Sequence, residues 1–269
     1  MFKEKEFNAE RYERQIILPE VGEDGQKKLQ NAKVLIIGAG GLGSPAALYL
    51  AGAGIGTIGI ADSDTVSLSN LHRQIIHTAD RVRQNKAESA KVSLEKLNDD
   101  VKVISYLYAV TPENIGELIR EYDFVIAAVD NFPVRFLIND ACVIAEKPFC
   151  NGGILGFQGQ VMTYVPGRGP CYRCIFEEIP EPGSVPTCKQ TGVMGPAVGV
   201  IGCIQALEAV KYIVSAGELL TGKMYIFDGL TMKTRIAEFP EPSKTCRVCG
   251  SNKDIRDVRL NHREYEYNE

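Results

Sequence analysis

The sequence has no tryptophan and no excess of positive charge. Its 269 residues carry a formal net charge of −4, which argues against a general binder of nucleic acid or of anionic membranes. Aromatic residues make up 8% of the chain, so a stacking platform for single-stranded nucleic acid is not expected. The composition therefore predicts no nucleic-acid partner.

The chain also lacks a long apolar run. A membrane-spanning helix needs about 20 apolar residues, and the most apolar stretch, residues 195–216, is interrupted by Glu208 and Lys211. The charged N-terminal segment, residues 1–15, has no apolar core of the kind that secretory signals carry. These absences predict a cytoplasmic protein with no membrane partner.

The most informative segment that is present, residues 33–64, joins two apolar runs through a glycine-rich turn. The turn reads GAGGLG at residues 38–43, and the second run ends at Asp62-Ser63-Asp64. Such a strand, glycine turn, helix and strand place phosphates over the helix N-terminus and a ribose near the acid. The turn has the form GxGGxG, with a glycine at residue 41 that the GxGxxG of dehydrogenases does not require, and a turn needed only for strand–helix packing is the alternative.

Short apolar strands alternate with helical segments through residues 31–150, which predicts a parallel sheet with right-handed crossovers. Beyond Cys150, glycines and alternating residues favour antiparallel strands. The predicted fold class is α/β, a Rossmann-like doubly wound sheet that is mainly parallel and has antiparallel C-terminal strands. A helical region at residues 9–30 precedes it. We also expect a strand over residues 101–110 and a helix that begins at Thr111-Pro112.

Charged residues after the turn favour one nucleotide over another. Arg73 and Lys86, the second at a helix start, add two cations that suit a triphosphate better than the pyrophosphate of a dinucleotide. Asp130 ends an apolar strand at the edge where open α/β sheets bind ligands, which favours a magnesium ligand. The alternatives are solvated surface charges for Arg73 and Lys86, and a helix cap for Asp130, since Asn131 and Pro133 also mark a helix start.

Four of the eight cysteines form two CxxC pairs. In a chain with no export signal, such pairs favour a metal over disulfides. Four thiolates make a closed, structural zinc site with no open position for catalysis, and reduced free thiols are the alternative. The predicted ligands are Cys171, Cys174, Cys246 and Cys249.

The remaining cysteines and two histidines receive simpler interpretations. Cys142, Cys150 and Cys203 lie in apolar segments and are predicted to be small buried side chains. His72 belongs by position to the nucleotide loop, and His77 is interpreted as structural.

Together these motifs resemble the ATP site of the MoeB/ThiF adenylyltransferases, bacterial relatives of the ubiquitin-activating enzymes. The resemblance runs from about residue 9 to residue 250 and includes the segment RYERQ at residues 11–15 as well as the two CxxC pairs. It implies that the nucleotide-binding residues are Gly38, Gly40, Gly41, Leu42, Gly43, Asp62, Asp64, Asn70, Arg73, Gln74, Lys86, Asp130 and Asn131.

The resemblance implies an ATP- and magnesium-dependent adenylyltransferase. A small ubiquitin-like sulfur carrier would offer its C-terminal Gly-Gly carboxylate to the α-phosphate of ATP, for molybdopterin or thiamin biosynthesis. The resemblance also implies a homodimer in which Arg14 reaches the γ-phosphate of the other subunit. Cys188 would receive the acyl group or handle sulfur, with Lys189 lowering its pKa, although in some family members this cysteine is dispensable.

The same resemblance predicts the domain organisation. Residues 1–250 would form a single adenylation domain, with a nucleotide-binding part at 31–150 and a zinc-tied part at 151–250. Residues 251–269 are polar and are expected to form a poorly ordered tail. No rhodanese-like domain follows, so we expect a separate protein to donate the sulfur.

Two other classes of function are kept as alternatives. An NAD-dependent oxidoreductase would use the glycine turn and Asp62, but it leaves Arg73, Lys86 and Asp130 without a role. A non-catalytic zinc adaptor for a ubiquitin-like protein would have no need of the phosphate-binding residues.

Overall fold

The computed structural model describes residues 8–266 of the chain. The strands are β1 (Lys33–Ile37), β2 (Thr57–Ala61), β3 (Lys102–Tyr106), β4 (Phe124–Ala127), β5 (Phe149–Leu155), β6 (Gln158–Tyr164), β7 (Lys223–Asp228) and β8 (Lys233–Glu238). The helices are α1 (Ala9–Ile16), α2 (Gly22–Asn31), α3 (Gly43–Ala53), α4 (Lys86–Leu97), α5 (Ile115–Arg120), α6 (Phe132–Ile144), α7 (Tyr172–Ile175), α8 (Cys188–Thr191) and α9 (Gly195–Val214).

All eight strands belong to one sheet, in the order β3-β2-β1-β4-β5-β6-β7-β8. Strands β1 to β5 are parallel to one another, whereas β6, β7 and β8 join on as antiparallel neighbours. The chain order reverses between β1 and β4, and this switch point is where open α/β sheets bind ligands. The predicted fold class is confirmed.

The two faces of the sheet are covered by different helices. Along β1, Val34 and Ile36 point to a core shared with α3, α4 and α9, while Leu35 and Ile37 point to a core shared with α5 and α6. Because successive side chains of a strand point to opposite faces, a strand buried on both faces must be apolar throughout. The two layers therefore follow directly from the continuous apolar runs in the sequence.

Helix α9 is long and apolar enough to cross a membrane by length and composition alone. It packs on the sheet, however, and half of its most apolar window is buried inside the protein. Its Glu208 is fully buried, pairs with Lys211, and accepts hydrogen bonds from Thr163 Oγ1 (2.6 Å) and from the backbone N–H of Leu220 (2.8 Å). The charge that interrupts the apolar run thus joins the helix to strand β6.

Three predicted boundaries differ from the structure. The strand expected over residues 101–110 is limited to β3. The helix expected from Thr111 begins instead at Ile115, because Asn114 accepts a hydrogen bond from Thr111 N–H and donates one to Ala109 O, which holds a turn before the helix. The N-terminal helical region consists of two helices, α1 and α2, and Pro19 lies in the turn between them.

The expectation of a poorly ordered tail is wrong for residues 251–266. Ile255, Val258 and Tyr265 are buried in the core beside α6. Tyr265 also donates a hydrogen bond from its hydroxyl to the buried carboxylate of Asp140 (2.8 Å). A few apolar residues dispersed among charges are enough to pack this segment, which a composition argument misses.

Candidate nucleotide and metal sites

The glycine turn connects the end of β1 to the start of α3 and leaves no space for a side chain at Gly38 or Gly43. Gly38 has a φ of +100°, and a Cβ there would lie 2.6 Å from the carbonyl oxygen of Ala128. A Cβ on Gly43 would lie 1.9 Å from the carbonyl oxygen of Gly38. The chain therefore folds tightly enough to expose backbone N–H groups at the N-terminus of α3, the arrangement that binds phosphate.

Asp62 lies at the end of β2 and anchors this turn. Its two carboxylate oxygens accept hydrogen bonds from the backbone N–H groups of Ala39 (2.8 Å) and Asp64 (2.9 Å). Burial raises the pKa of Asp62, and the positive charge of Lys86 opposes that rise. The structure therefore places the predicted ribose-binding carboxylate beside the phosphate turn.

Lys86 is the first residue of α4, and its side chain is buried. It forms an ion pair with Asp64 (2.7 Å). Asn85 caps the helix by accepting from the N–H groups of Ala87 and Glu88, and its own amide donates to Asp62 O (3.0 Å). This cap fixes Lys86 beside the two acids that end strand β2.

His77 links the glycine turn to α4. It is buried, with Nε2 2.9 Å from the carbonyl oxygen of Ala39 and Nδ1 2.9 Å from the hydroxyl of Ser89. Because a carbonyl can only accept, Nε2 carries the proton and Nδ1 accepts from Ser89. Burial lowers the pKa of His77, and this favours the neutral ring. The structural interpretation of His77 gains a specific role here.

The loop between β2 and α4 lies against the glycine turn. The backbone oxygen of Asn70 accepts from the N–H groups of Arg73 and Gln74, which keeps the loop compact. The Arg73 side chain passes 3.5 Å from the position that a Cβ of Gly41 would occupy, and Gln74 Nε2 lies 3.6 Å from the corresponding position of Gly40. The structure therefore brings Arg73 and Gln74 to the turn, as predicted.

Asp130 follows the end of β4, the strand beside β1 in the sheet, and its side chain is exposed. Its neighbour Asn131, not Asp130, caps α6 by accepting a hydrogen bond from Val134 N–H (3.0 Å). The alternative interpretation of Asp130 as a helix cap is therefore wrong. Its carboxylate lies at the carboxyl end of the parallel strands and is available to a ligand there.

Cys188 begins the short helix α8, near the same edge. Its thiol donates to the carbonyl oxygen of Ile154 (3.2 Å). Burial and the negative charge of Asp130 raise the pKa of Cys188, while Arg73 and Arg135 oppose the rise. The expected lowering of this pKa is not found, and the side chain of Lys189 lies outside what the structure describes.

Arg14 is not brought to the site of its own chain. It is exposed on α1, where Tyr12 packs on Gly54 and accepts a hydrogen bond from Asn98 (2.7 Å). Gly54 and Asn98 lie at the C-terminal ends of α3 and α4, the two helices whose N-terminal ends lie at the glycine turn and beside Asp62. Eleven residues of helix α3 correspond to about 16 Å, so α1 lies well away from that turn.

Three further polar residues near the site were missed by the sequence analysis. Arg135 is buried and donates to the carbonyl oxygens of Val129 (3.1 Å) and Gly152 (3.3 Å). Within residues 8–266, Arg135 Nε, Asn151 Oδ1 and Gln205 Oε1 are buried and have no hydrogen-bond partner. A polar residue flanked on both sides by apolar or glycine residues within a strand or helix is the signal that could have identified them.

The four cysteines of the CxxC pairs converge on one point. The Sγ–Sγ distances are 3.8 Å from Cys171 to Cys174, 3.6 Å to Cys246 and 3.6 Å to Cys249, and 3.3 Å from Cys174 to Cys249. A tetrahedral zinc ion with Zn–S bonds of about 2.3 Å needs sulfurs about 3.8 Å apart. The cluster therefore suits a tetrahedral metal ion once the sulfurs of Cys174 and Cys249 move about 0.5 Å apart. Cys142 and Cys150 are buried as predicted, whereas Cys203 is half-buried.

The amino-acid sequence of this chain is similar to those of known proteins. A model of the ThiF family matches residues 12–248. The "Adenylyltransferase and sulfurtransferase MOCS3" of Anopheles gambiae is 48% identical over 240 residues, which cover 89% of this chain and 54% of the relative. That of Arabidopsis thaliana is 43% identical over 256 residues, covering 95% and 55%. The chain thus spans about half the length of these curated relatives.

Solved protein structures are also similar to this chain. A crystal structure of E. coli MccB with ATP superposes with a TM-score of 0.78 at 28% identity, covering 90% of this chain and 75% of MccB. Another, of E. coli MccB with MccA-N7isoASN, has a TM-score of 0.80 at 27% identity and covers 92% and 76%. The family match spans most of the chain and includes the glycine turn, the loop between β2 and α4, the first CxxC pair and Cys246 of the second, so this chain belongs to the ThiF family.

Proposed function

We propose that this chain is an ATP- and magnesium-dependent adenylyltransferase that activates the C-terminal Gly-Gly carboxylate of a small ubiquitin-like sulfur-carrier protein. The observation that carries the proposal is the convergence of the glycine turn, Arg73, Lys86 and Asp130 at the carboxyl ends of β1, β2 and β4. Solved MccB with ATP and relatives named adenylyltransferase support the same reaction.

The proposed reaction needs positioning more than proton transfer. An oxygen of the carrier carboxylate attacks the α-phosphorus of ATP, the bond to the β-phosphate breaks, and pyrophosphate leaves. A C-terminal carboxyl group has a pKa of about 3.5 and is already a nucleophile at neutral pH. The tasks left to the protein are to align the two reactants and to offset the charge of the phosphates.

The residues around the turn divide these tasks among themselves. The N-terminus of α3 and the glycine N–H groups would bind the phosphates. Arg73 and Lys86 would offset the negative charge, and Lys86 would exchange its ion pair with Asp64 for the nucleotide. Asp62 would accept from the ribose hydroxyls with the lone pairs that its two backbone hydrogen bonds leave over.

Asp130 is the proposed magnesium ligand. Carboxylate oxygens are the ligands that magnesium prefers, and Asp130 is exposed at the sheet edge, while Asn131 caps the helix that follows. Asp62 suits this role less, because each of its oxygens already accepts a backbone N–H. When bound, the ion would neutralise phosphate charge and orient the leaving pyrophosphate.

The four-cysteine cluster is proposed to hold structural zinc. All four positions of a tetrahedral ion would be filled by thiolates, so no position remains for substrate. The ion would join the segment after β6 to the segment after β8. Metal analysis of the purified chain tests this assignment, and we expect one zinc per chain.

We propose a homodimer with Arg14 contributed across the interface, a cytoplasmic location, and a separate protein as sulfur donor. The exposed position of Arg14, remote from the turn of its own chain, supports the contribution in trans. The carrier would serve molybdopterin or thiamin biosynthesis.

Carrier-dependent exchange of pyrophosphate into ATP is the decisive experiment. We expect exchange with a Gly-Gly-ended carrier and magnesium, and none with the same carrier lacking its last glycine. Absence of exchange with every Gly-Gly-ended carrier would favour the non-catalytic zinc adaptor. Equilibrium binding provides the second comparison, because tighter binding of NAD than of ATP–magnesium would favour the oxidoreductase.

A further inference from the structure

Residues 251–266, here called the C-terminal clip, fold back over the four-cysteine cluster. The clip begins directly after the second CxxC pair, and the backbone N–H groups of Asp254 and Ile255 both donate to Arg247 O (3.0 Å each). Arg247 is a central residue of that pair. Ile255 and Val258 are buried in the same core as Cys171 and Cys246. The clip is therefore packed against the metal site.

One carboxylate of the clip joins the two CxxC turns. Glu264 accepts from both terminal guanidinium nitrogens of Arg247 (Nη1 3.1 Å, Nη2 2.6 Å), which is the strong forked geometry. It also accepts from Nη2 of Arg173 (3.2 Å), one of the two central residues of the first pair. The two arginines are 74 positions apart in the chain, and Glu264 lies between them.

The first CxxC turn is also bound to α6, through Arg173. Arg173 is almost fully buried and forms a forked ion pair with Asp140, with Nε 2.9 Å from Oδ1 and Nη2 2.8 Å from Oδ2. Tyr265, next to Glu264, donates to the same Asp140 (2.8 Å). A connected network thus runs from the second CxxC turn through the clip to the first turn and α6.

We propose that the C-terminal clip retains the metal ion, with Glu264 as the positioning residue that holds the two CxxC turns together. To release the ion, one turn must swing away from the other, and that movement breaks the link of Glu264 to one arginine. By thermodynamic reciprocity, a clip that stabilises the metal-bound state is itself stabilised by the metal. The inference rests on the proposed zinc site and is independent of the adenylation reaction.

The first test compares the rates at which the zinc-loaded, full-length chain and its variants transfer zinc to a chromogenic chelator. Changing a residue that supports metal ligands typically costs 10–100-fold in affinity, so Glu264→Gln should release zinc about tenfold faster or more. Asp257→Asn is the matched control, since Asp257 lies in the clip but its side chain pairs with Arg259. Leu94→Ala, on the buried face of α4 and in a different core from the clip, lowers global stability without touching the clip and should leave the rate of zinc release unchanged.

The second test measures hydrogen exchange of the zinc-loaded and zinc-stripped chain. We expect removal of zinc to expose residues 251–266 and both CxxC turns, while β1 and β4 stay protected. Equal release rates for the parent and Glu264→Gln would contradict the proposed role of the clip and leave the zinc site itself intact. A clip that stays protected after zinc is removed would do the same. A purified chain that holds no zinc would overturn the metal site and the clip together, whatever the outcome of the exchange assay with ATP.

Discussion

At the scale of single residues, Asp130 offers the sharpest test of the proposed magnesium site. We expect Asp130→Ala to lower pyrophosphate exchange on the order of 100-fold or more, because a lost metal ligand removes charge stabilisation from the transition state. An exposed residue contributes little to folding, so its free energy of unfolding should change by less than about 0.5 kcal/mol. Asn131→Ala should instead cost about 1 kcal/mol, since Asn131 caps α6. Exchange near the parental rate in Asp130→Ala would contradict the assignment.

Cys188 tests a second, separable step. Its thiol is not needed for attack by a carboxylate on ATP, so Cys188→Ala should keep pyrophosphate exchange within about twofold of the parent. Because burial raises the pKa of this thiol, little thiolate is present at neutral pH in the unliganded chain. A sulfur-transfer assay with the carrier and a sulfur donor then decides whether the thiol acts later. A collapse of exchange would show instead that Cys188 shapes the nucleotide site.

His77 links stability to pH in the region of its ordinary pKa. Burial lowers the pKa of His77 in the folded chain, so at a pH below about 6.5 the unfolded chain takes up the proton first and the folded state loses stability. The free energy of unfolding, measured in urea between pH 7.5 and pH 5.5, should therefore fall as pH falls. His77→Gln should weaken this pH dependence, and an identical slope in both proteins would be inconsistent with a buried neutral ring.

At the scale of elements, helix α3 contains two glycines with opposite requirements. A Cβ on Gly43 would collide with the carbonyl oxygen of Gly38, whereas Gly52 is exposed and has no atom within 4 Å of its Cβ position. Gly43→Ala should therefore cost at least about 2 kcal/mol. Gly52→Ala should raise the free energy of unfolding by about 0.5–1 kcal/mol, because alanine favours the helical conformation more than glycine does. Urea unfolding of both variants measures the contrast, and equal effects would refute the tight turn.

At the scale of the whole molecule, the proposed homodimer predicts complementation between two inactive variants. In a mixed dimer of Arg14→Ala and Asp130→Ala, one site combines the intact Asp130 of one subunit with the intact Arg14 of the other. Random exchange of subunits should therefore restore about a quarter of the sites. Pyrophosphate exchange before and after mixing measures the recovery. Activity that does not rise after verified subunit exchange would place Arg14 in its own chain's site or outside any site.

Elements with local signals were predictable from the sequence. Helix α4 was expected to start at Lys86 and spans Lys86–Leu97, because its apolar spacing and its cap at Asn85 are encoded by neighbouring residues. The strands of the parallel sheet were equally visible as apolar runs. The start of α5 was not, since Asn114 competes with Thr111 for the turn, and that competition depends on side-chain hydrogen bonds.

The sequence alone predicted the glycine turn, since the positive φ of Gly38 and the contact of Gly43 with the carbonyl oxygen of Gly38 both arise within one short segment. Its CxxC spacing also predicted which four cysteines come together. Only the tertiary structure decided that Arg73 lies against the turn while Arg14 does not, and that Glu264 joins two CxxC turns far apart in the chain. Those relations depend on which distant segments pack together, and the burial that drives such packing depends on apolar area and not on order along the chain.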